Sequence, residues 1–262
     1  MAATMTQKVM YTDTTICTGC RACMVACKQW NQLPYEEPEW TGGYGNRSHF
    51  SDKAWRFVRF IEVDDPRPSH KGEVQWLMMS DVCKHCQQAG CLEACPTGAI
   101  HRTAWGTVDI DQGICNGCRD CVASCPFGVI AFNADTGRVN KCTFCSDRVP
   151  AGMPTACAKT CPTSSIRFGD KEPMLEMARA RVKELKAQGF ERANLYGDSD
   201  ILGGLNAFYV LADSPSVYGL PERPELPQRN VNLDSALAIA SSVVIGLAAL
   251  VSFRDQGAGR QG

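Results

Sequence analysis

The sequence carries almost no net charge, and it shows neither an arrangement of catalytic acid–base residues nor a targeting signal. Lys and Arg number 27 against 28 Asp and Glu, so the chain offers no basic surface for nucleic acid and no strong field to steer a charged partner. No Ser-His-Asp set and no pair of carboxylates stands out, which argues against a hydrolytic or acid–base active site. Residues 1 to 16 hold no basic start before an apolar core and no twin arginine, so we expect no targeting signal there.

Cysteine, in contrast, is abundant. The sixteen cysteines form four groups of four, and each group opens with C-x2-C and closes with C-x3-C. The gap between these two pairs is two, four, two and eleven residues in chain order. The closing cysteine is followed by proline in motifs 2, 3 and 4 (Pro96, Pro126 and Pro162) and by Lys28 in motif 1. The motifs are Cys17, Cys20, Cys23 and Cys27 (motif 1); Cys83, Cys86, Cys91 and Cys95 (motif 2); Cys115, Cys118, Cys121 and Cys125 (motif 3); and Cys142, Cys145, Cys157 and Cys161 (motif 4).

The spacing of motif 3, C-x2-C-x2-C-x3-C-P, is the one by which bacterial-type ferredoxins hold [4Fe-4S] clusters. Three thiolates at this spacing lie on one tight loop and can bind three irons of a cubane. A disulfide framework is typical of short secreted domains, and structural zinc would want two converging C-x2-C pairs. Neither a disulfide framework nor a zinc site explains the cysteine spacing or the prolines that follow three of the closing cysteines. The sequence therefore predicts four [4Fe-4S] clusters.

The ligands of each cluster are expected to come from two motifs. In two-cluster ferredoxins the fourth cysteine of one motif binds the cluster of the other motif. Adjacency pairs motif 2 with motif 3, which leaves motif 1 for motif 4. The hypothesis gives group A, Cys17, Cys20, Cys23 and Cys161; group B, Cys142, Cys145, Cys157 and Cys27; group C, Cys83, Cys86, Cys91 and Cys125; and group D, Cys115, Cys118, Cys121 and Cys95.

Four basic or imidazole side chains lie near these cysteines in the sequence. Cations close to an anionic cluster tune its potential and satisfy backbone carbonyls more often than they bind iron. His85 lies inside the C-K-H-C run of motif 2, so we expect it to support the cluster without ligating it. The four residues are Lys141, Arg148, His85 and His101.

The predicted fold class is α+β, with two pseudo-symmetric bacterial-ferredoxin-like 2x[4Fe-4S] units. To these the sequence adds an aromatic insertion, a small C-terminal α/β extension and one C-terminal transmembrane helix. The predicted segments are 1–30 (motif 1, part of unit 1), 31–82 (strand-rich insertion), 83–140 (unit 2, motifs 2 and 3), 141–170 (motif 4, part of unit 1), 171–212 (extension), 213–230 (Pro-rich connector), 231–253 (transmembrane helix) and 254–262 (tail).

Local patterns predict several elements outside the cysteine motifs. Trp55 to Val63 and Glu73 to Met79 are typical of two strands, joined across Pro66, Pro68 and Gly72. A helix is expected from Pro173 to Gly189, followed by strands over Ala193 to Tyr196 and Ala207 to Leu211. After motifs 2 and 3, strand–turn–strand patterns with turns at Trp105-Gly106 and Asp135-Thr136-Gly137 predict a repeated hairpin.

The C-terminal segment is apolar. Ala236 to Phe253 runs eighteen residues without a charge, which as a helix measures about 27 Å, close to the ~30 Å hydrocarbon core of a bilayer. We therefore expect one transmembrane helix, with a buried amphipathic helix as the alternative.

The four motifs in this order resemble the four-cluster electron-transfer subunits of molybdenum or tungsten oxidoreductases. Within that superfamily the chain is similar to the β subunit of membrane-bound formate dehydrogenase of the N or O type. The narrower resemblance lies in Cys17-Thr18-Gly19-Cys20-Arg21-Ala22-Cys23 through Trp30-Asn31, the C-x-H-C of Cys83 to Cys86, Cys142-Thr143-x-Cys145-x-Asp147-Arg148-Val149, Tyr218-Gly219-Leu220-Pro221, and the terminal helix after a Pro-rich connector.

The resemblance implies a non-catalytic relay of electrons between two partners. One is a catalytic α subunit with a molybdenum or tungsten bis-pterin that oxidises formate. The other is a membrane cytochrome b, the γ subunit, reached through the C-terminal helix in the lipid bilayer and passing electrons to quinone. The soluble part is then expected on the periplasmic face.

Rival functions remain at this stage. Within the relay class, the partner enzyme could be a polysulfide, thiosulfate, nitrate or dimethyl sulfoxide reductase, or a hydrogenase. Outside it, the chain could be a free-standing ferredoxin-like carrier or a zinc-held interaction module.

Overall fold

The structure is a computed structural model that describes residues 6–63, 75–227 and 233–258. The chain divides into two compact units, residues 1–226 and 227–262. Unit 1 contains β1 (Lys8–Asp13), a 3-10 turn (Thr14–Ile16), α1 (Ala22–Trp30), β2 (Arg56–Val63), β3 (Gln75–Val82), α2 (Gly90–Glu93), β4 (Ile100–Arg102), β5 (Val108–Ile110), α3 (Asp120–Ala123), β6 (Ala131–Asn133), β7 (Arg138–Asn140), a 3-10 turn (Val149–Ala151), α4 (Ala156–Thr160), β8 (Ile166–Asp170), α5 (Lys171–Ala187), β9 (Asn194–Tyr196), β10 (Ala207–Leu211) and a 3-10 turn (Pro215–Tyr218).

A four-stranded sheet in the order β8-β1-β10-β9 joins the two ends of unit 1. β1 runs parallel to β10, with Met10 opposite Ala207, and antiparallel to β8, with Met10 opposite Phe168. All five residues of β10 are buried, as expected for a strand that is covered on both faces. The sheet therefore brings the segment before motif 1 beside the segment after motif 4.

α5 covers this sheet with one apolar face. Leu175, Ala178 and Leu185 recur at helical spacing and are buried in a core that includes Tyr11 and Phe208 of the sheet. The helix predicted from Pro173 to Gly189 is confirmed at Lys171–Ala187, and the two strands predicted after it are confirmed as β9 and β10.

In residues 6–63, 75–227 and 233–258, three antiparallel strand pairs complete the β structure. β2 pairs with β3, so the two predicted strands of the insertion are confirmed, although Glu73 and the predicted turn at Pro66, Pro68 and Gly72 lie outside the described residues. The repeated hairpin after motifs 2 and 3 is confirmed as β4–β5 and β6–β7. The mixed helix and strand content agrees with the predicted fold class.

The short helices of the cysteine motifs pack in pairs that match the expected pairing of motif 1 with motif 4 and of motif 2 with motif 3. α1 of motif 1 packs against α4 of motif 4, and α2 of motif 2 packs against α3 of motif 3. Around them lies a second core in which cysteines are mixed with apolar side chains such as Phe57, Ile100, Ile130 and Ile166. The cysteine loops are thus held between the sheet and the hairpins.

Unit 2 contains α6 (Leu233–Ala258), and here the sequence prediction needs correction. In the described parts of the chain, no helix has both the length and the apolar character needed to cross a bilayer. The transmembrane helix predicted over 231–253, of which 231 and 232 lie outside the described residues, is therefore not supported. The same holds for the bilayer contact, the membrane anchoring and the periplasmic placement inferred from it.

Candidate metal centres

Motifs 1 and 4 converge. Burial raises the pKa of Cys17, and the nearby thiolates of Cys23, Cys161 and Cys20 raise it further. Burial raises the pKa of Cys27 to about 12, with a further rise from the thiolates of Cys157 and Cys145. Each closing cysteine thus lies among cysteines of the other motif. One cavity is lined by all four cysteines of group B, Cys27, Cys142, Cys145 and Cys157.

Motifs 2 and 3 converge in the same crossed manner. Burial raises the pKa of Cys91 to about 12, and the thiolates of Cys83 and Cys125 raise it further. Burial also raises the pKa of Cys121 to about 12, and Cys95 is among the thiolates that add to the rise. A second cavity is lined by all four cysteines of group D, Cys95, Cys115, Cys118 and Cys121.

The donor set fits iron–sulfur clusters. All sixteen cysteines are free thiols. In the described parts of the chain no three His, Cys, Asp or Glu side chains are placed to share a single metal ion, whereas a cubane presents a separate iron to each thiolate. Burial raises the pKa of several of these thiols, so iron binding at those cysteines releases protons.

Backbone amides that follow the closing cysteines point at their sulfurs. Burial would raise the pKa of Cys95, but hydrogen bonds from the amide of Ile100 and from Thr97 lower it overall. The amide of Ile166 lies 3.5 Å from Cys161 Sγ. In both cases this amide comes five residues after the cysteine, and the intervening proline has no N–H to offer. The repeated C-P unit therefore directs backbone N–H groups at the sulfur of its cysteine.

Cys27 departs from this pattern because it lies inside a helix. α1 continues past Cys27 to Trp30, and a proline at position 28 would break it. A side chain supplies the hydrogen bond instead, since Nδ2 of Asn31 lies 3.6 Å from Cys27 Sγ and donates to the Cys27 carbonyl at 2.8 Å. The missing proline of motif 1 has a local structural reason.

The third residue of every C-x2-C pair adopts a left-handed backbone conformation. Gly19 and Gly117 have φ of 66° and 71°, and the larger residues His85 and Phe144 have φ of 46° and 60°. This conformation costs a non-glycine residue about 1–2 kcal/mol. At this position a non-glycine residue occurs only in motifs 2 and 4, where the two large side chains contact each other, with ring centroids 5.0 Å apart and an interplanar angle of 73°.

Arg56 places a buried cation between groups A and B. Its guanidinium donates to Ser80 Oγ at 2.7 Å and contacts Met10 Sδ at 2.9 Å. Burial acts to lower the pKa of Arg56, but the thiolates of Cys157 and Cys23 hold it above its ordinary value. The side chain is therefore charged and lies beside sulfurs of both groups.

Lys141 has the corresponding place between groups B and C. Its ammonium donates to the carbonyls of Cys142, at 3.0 Å, and Val108. Burial acts to lower the pKa of Lys141, but thiolates including Cys83 and Cys91 raise it overall. The sequence singled out Lys141 correctly as a cation near the clusters.

The other three residues singled out from the sequence, His85, His101 and Arg148, have different surroundings. Burial lowers the pKa of His85 well below its ordinary value, so the imidazole is neutral beside the clusters. His101 is exposed on β4. The Arg148 guanidinium lies 4.1 Å from the centre of the Trp30 ring, and the Trp30 indole donates to Asp147 at 2.8 Å. Arg148 therefore fastens motif 4 to α1.

Sequence reasoning missed several buried polar residues, Arg56 and Asn206 among them. Arg56 lies in a strand pattern that gives no sign of burial. Asn206 is fully buried, and its side chain links Gln7, Gln87 and Gly106 by hydrogen bonds of 2.6 to 2.8 Å. Its backbone N–H faces the carbonyls of the C-K-H-C loop. A single Asn before a predicted strand carries no local signal of such a role.

The four groups follow one another in a line. Across each boundary one thiolate lies close enough to raise the pKa of its neighbour. The pairs are Cys27 with Cys23 between groups B and A, Cys142 with Cys83 between B and C, and Cys91 with Cys121 between C and D. Cys20 of group A and Cys118 of group D are exposed, whereas the cysteines of groups B and C are buried or half-buried. The line therefore reaches the surface at its two ends.

Comparison with known proteins agrees with this chemistry. Two family models, both described as 4Fe-4S dicluster domains, match residues 16–99 and 74–171 and together contain all sixteen cysteines. The formate dehydrogenase, nitrate-inducible, iron-sulfur subunit of Escherichia coli (strain K12) is 44% identical over 218 residues, which cover 82% of this chain and 72% of that protein. The formate dehydrogenase iron-sulfur subunit of Haemophilus influenzae is 42% identical, over 91% of this chain and 76% of that protein. The thiosulfate reductase electron transfer subunit of Salmonella typhi is 36% identical, over 62% of this chain and 76% of that protein.

Proposed function

This chain belongs to the family of formate dehydrogenase iron-sulfur subunits, and from that premise we propose that it carries electrons away from a catalytic subunit that oxidises formate. It is a non-catalytic electron-transfer subunit with four [4Fe-4S] clusters. Each cluster, when bound, supplies a reversible one-electron site. The chain's own residues hold the clusters, exclude water from the inner ones and set the surrounding charge.

The proposed ligands are the crossed groups A to D of the sequence analysis. The proposal is supported by the convergence of thiols from two motifs at each group and by the two cavities lined by complete quartets. It is also supported by the pairing of α1 with α4 and of α2 with α3. The segments predicted from the sequence up to residue 230 are proposed with it.

The observation that carries the function is the line of groups A, B, C and D with exposed cysteines only at its ends. Electron transfer between proteins needs a donor and an acceptor to approach different clusters, and Cys20 and Cys118 mark two such approaches. The buried cations Arg56 and Lys141 lie at two of the three boundaries, A–B and B–C. They offset the negative charge that an added electron brings to a water-poor interior.

The surface beside group A suits a docked protein. Tyr44 is 61% exposed and its ring meets Trp76, which is 45% exposed, with centroids 4.5 Å apart. Arg21 of motif 1 donates to the Tyr44 carbonyl and lies 5.0 Å from the centre of the Phe60 ring. Aromatic and Arg side chains of this kind are enriched at protein interfaces.

Two partners complete the proposal. The first is a catalytic α subunit with a molybdenum or tungsten bis-pterin, because the relatives are named as subunits of formate dehydrogenases. The second, and finer, proposal is a cytochrome b γ subunit that delivers the electrons to quinone. It rests on the sequence resemblance to the N and O types of the enzyme.

Anaerobic affinity purification of the tagged chain from its native cells tests the function. We expect a large pterin-containing subunit to co-purify, formate to reduce an artificial dye, and formate alone to produce the EPR signals of reduced clusters. A pterin subunit that reduces thiosulfate or another sulfur compound but does not oxidise formate would overturn the formate assignment. Recovery of the chain alone would contradict the relay function itself.

A further inference from the structure

His85 carries a buried ring nitrogen that has no hydrogen-bonding partner in the described part of the chain. Its side chain is 1% exposed, and its Nδ1 accepts a hydrogen bond from the Val108 backbone N–H at 3.2 Å. When Nδ1 of a neutral imidazole is the acceptor, Nε2 carries the proton and is a donor. Among the described protein atoms, Nε2 of His85 has no hydrogen-bonding partner.

Such a donor is costly inside a protein, because nearly all buried polar groups are paired. Packing does not require the nitrogen. Phe144 has the equivalent position in motif 4, adopts the same left-handed backbone and fills its space with a hydrocarbon ring. A ring without nitrogen thus suits this position of the loop, and the extra donor at position 85 needs another explanation.

The His85 ring is also held in one orientation. Its backbone carbonyl lies 3.3 Å from the Asn206 N–H, Val108 fixes Nδ1, and the ring meets Phe144 edge to face. His85 lies between Cys83 and Cys86, two proposed ligands of group C. A rigid donor between two ligands of one cluster is placed to meet that cluster's sulfur atoms.

We propose that His85 donates its Nε2–H to a sulfur of the group C cluster and thereby raises the reduction potential of that cluster relative to a non-donating ring. The proposal rests on the cluster ligation given under the proposed function. Hydrogen bonds to cluster sulfurs favour the reduced, more negative state, and they are one of the means by which a protein sets a cluster potential.

Pulsed EPR on the holo complex tests the hydrogen bond directly. The chain has four histidines, so labelling histidine rings with 15N gives few candidate signals. We expect one ring nitrogen coupled to the spin of a reduced cluster in the unmodified chain. The coupling should disappear in His85→Phe, which keeps an aromatic ring against Phe144. It should persist in His49→Phe, whose exposed side chain belongs to the insertion.

The redox titration of the same samples provides the functional readout. In His85→Phe one cluster should have a lower midpoint potential while iron content and the other three potentials stay unchanged. Absence of ring-nitrogen coupling in the fully loaded unmodified chain overturns the inference, as does a coupling that survives in His85→Phe. Because iron content and formate-dependent cluster reduction are recorded separately, failure of this inference is distinct from failure of the proposed function.

Discussion

Arg56 donates a hydrogen bond of 2.7 Å to Ser80 Oγ, and that same oxygen lies 3.1 Å from Cys23 Sγ. Because Ser80 accepts from a charged guanidinium, its own proton is free to point at the sulfur. Burial raises the pKa of Cys23 overall, and the Arg56 charge and the Ser80 hydrogen bond both oppose that rise. A buried cation is thus connected to a proposed cluster ligand through a single side chain.

Removing this charge should lower the potentials of the clusters at groups A and B. A unit charge about 10 Å from an added electron, at an effective dielectric near 20, contributes about 1.7 kcal/mol, or roughly 70 mV. We therefore expect Arg56→Met to shift at least one of these two midpoints down by tens of millivolts in an EPR-monitored titration. Arg56→Lys, which keeps the charge, is the control and should shift them less. Equal potentials in Arg56→Met and the unmodified chain would show that the cation does not act on the clusters.

Replacing Asp81 by Asn should destabilise the fold around motif 2. Asp81 is 1% exposed, pairs with the buried Lys84, and lies 2.8 Å from Arg59. Its removal leaves a buried ammonium without its counter-ion, which typically costs about 3–5 kcal/mol. The denaturant concentration at which cluster absorbance is lost should fall in Asp81→Asn. It should change little in Asp198→Asn, whose partner Arg179 is exposed. Equal losses in the two variants would contradict the account.

The same ion pair predicts a loss of stability in acid. Burial alone would raise the pKa of Asp81, but Lys84 and Arg59 hold it below its ordinary value. A depressed carboxyl pKa contributes stability that is fully present above the unfolded value of about 3.9 and is lost as the pH falls through the folded pKa. The stability difference between the unmodified chain and Asp81→Asn should therefore be constant near neutral pH and shrink below about pH 4. Denaturation curves at pH 3 to 7 measure it.

Alanine substitution at two glycines distinguishes the cost of backbone strain from the cost of steric overlap. Gly117 and Gly98 have φ of 71° and 70°. A Cβ at Gly117 would overlap the Gly137 carbonyl oxygen, whereas a Cβ at Gly98 meets nothing within 4 Å. Gly98→Ala should cost only the strain, about 1–2 kcal/mol, with full iron content. Gly117→Ala should displace the loop of motif 3 and reduce iron by about a quarter, the share of one cluster in four. Full loading of Gly117→Ala would show that the loop tolerates the shift.

Local sequence patterns were enough to predict most of the elements. The hairpins β4–β5 and β6–β7 follow from turn residues, and α5 follows from the spacing of Leu175, Ala178 and Leu185. The cysteine spacing predicted the chemistry because a cubane restricts how far apart its ligands can lie on one loop.

Features that depend on distant contacts were not predictable. The parallel pairing of β1 with β10 joins residues near opposite ends of unit 1, and a six-residue strand carries no mark of its partner. Arg56 and Asn206 belong to residue types that are mostly exposed, and only the tertiary structure reveals their burial. The prediction of a C-terminal transmembrane helix was wrong for a related reason, since an apolar run in the sequence does not by itself establish a membrane span.

Replacement of Cys27 tests the central claim, the crossing of ligands between motifs, most directly. Two reference variants, Cys20→Ser and Cys145→Ser, identify the EPR signals of groups A and B. Cys27 belongs to motif 1 in the sequence but is proposed to bind the cluster of group B. Cys27→Ser should therefore perturb the same signal as Cys145→Ser and leave the one altered by Cys20→Ser intact. If Cys27→Ser instead reproduces the spectrum of Cys20→Ser, the crossed arrangement is wrong.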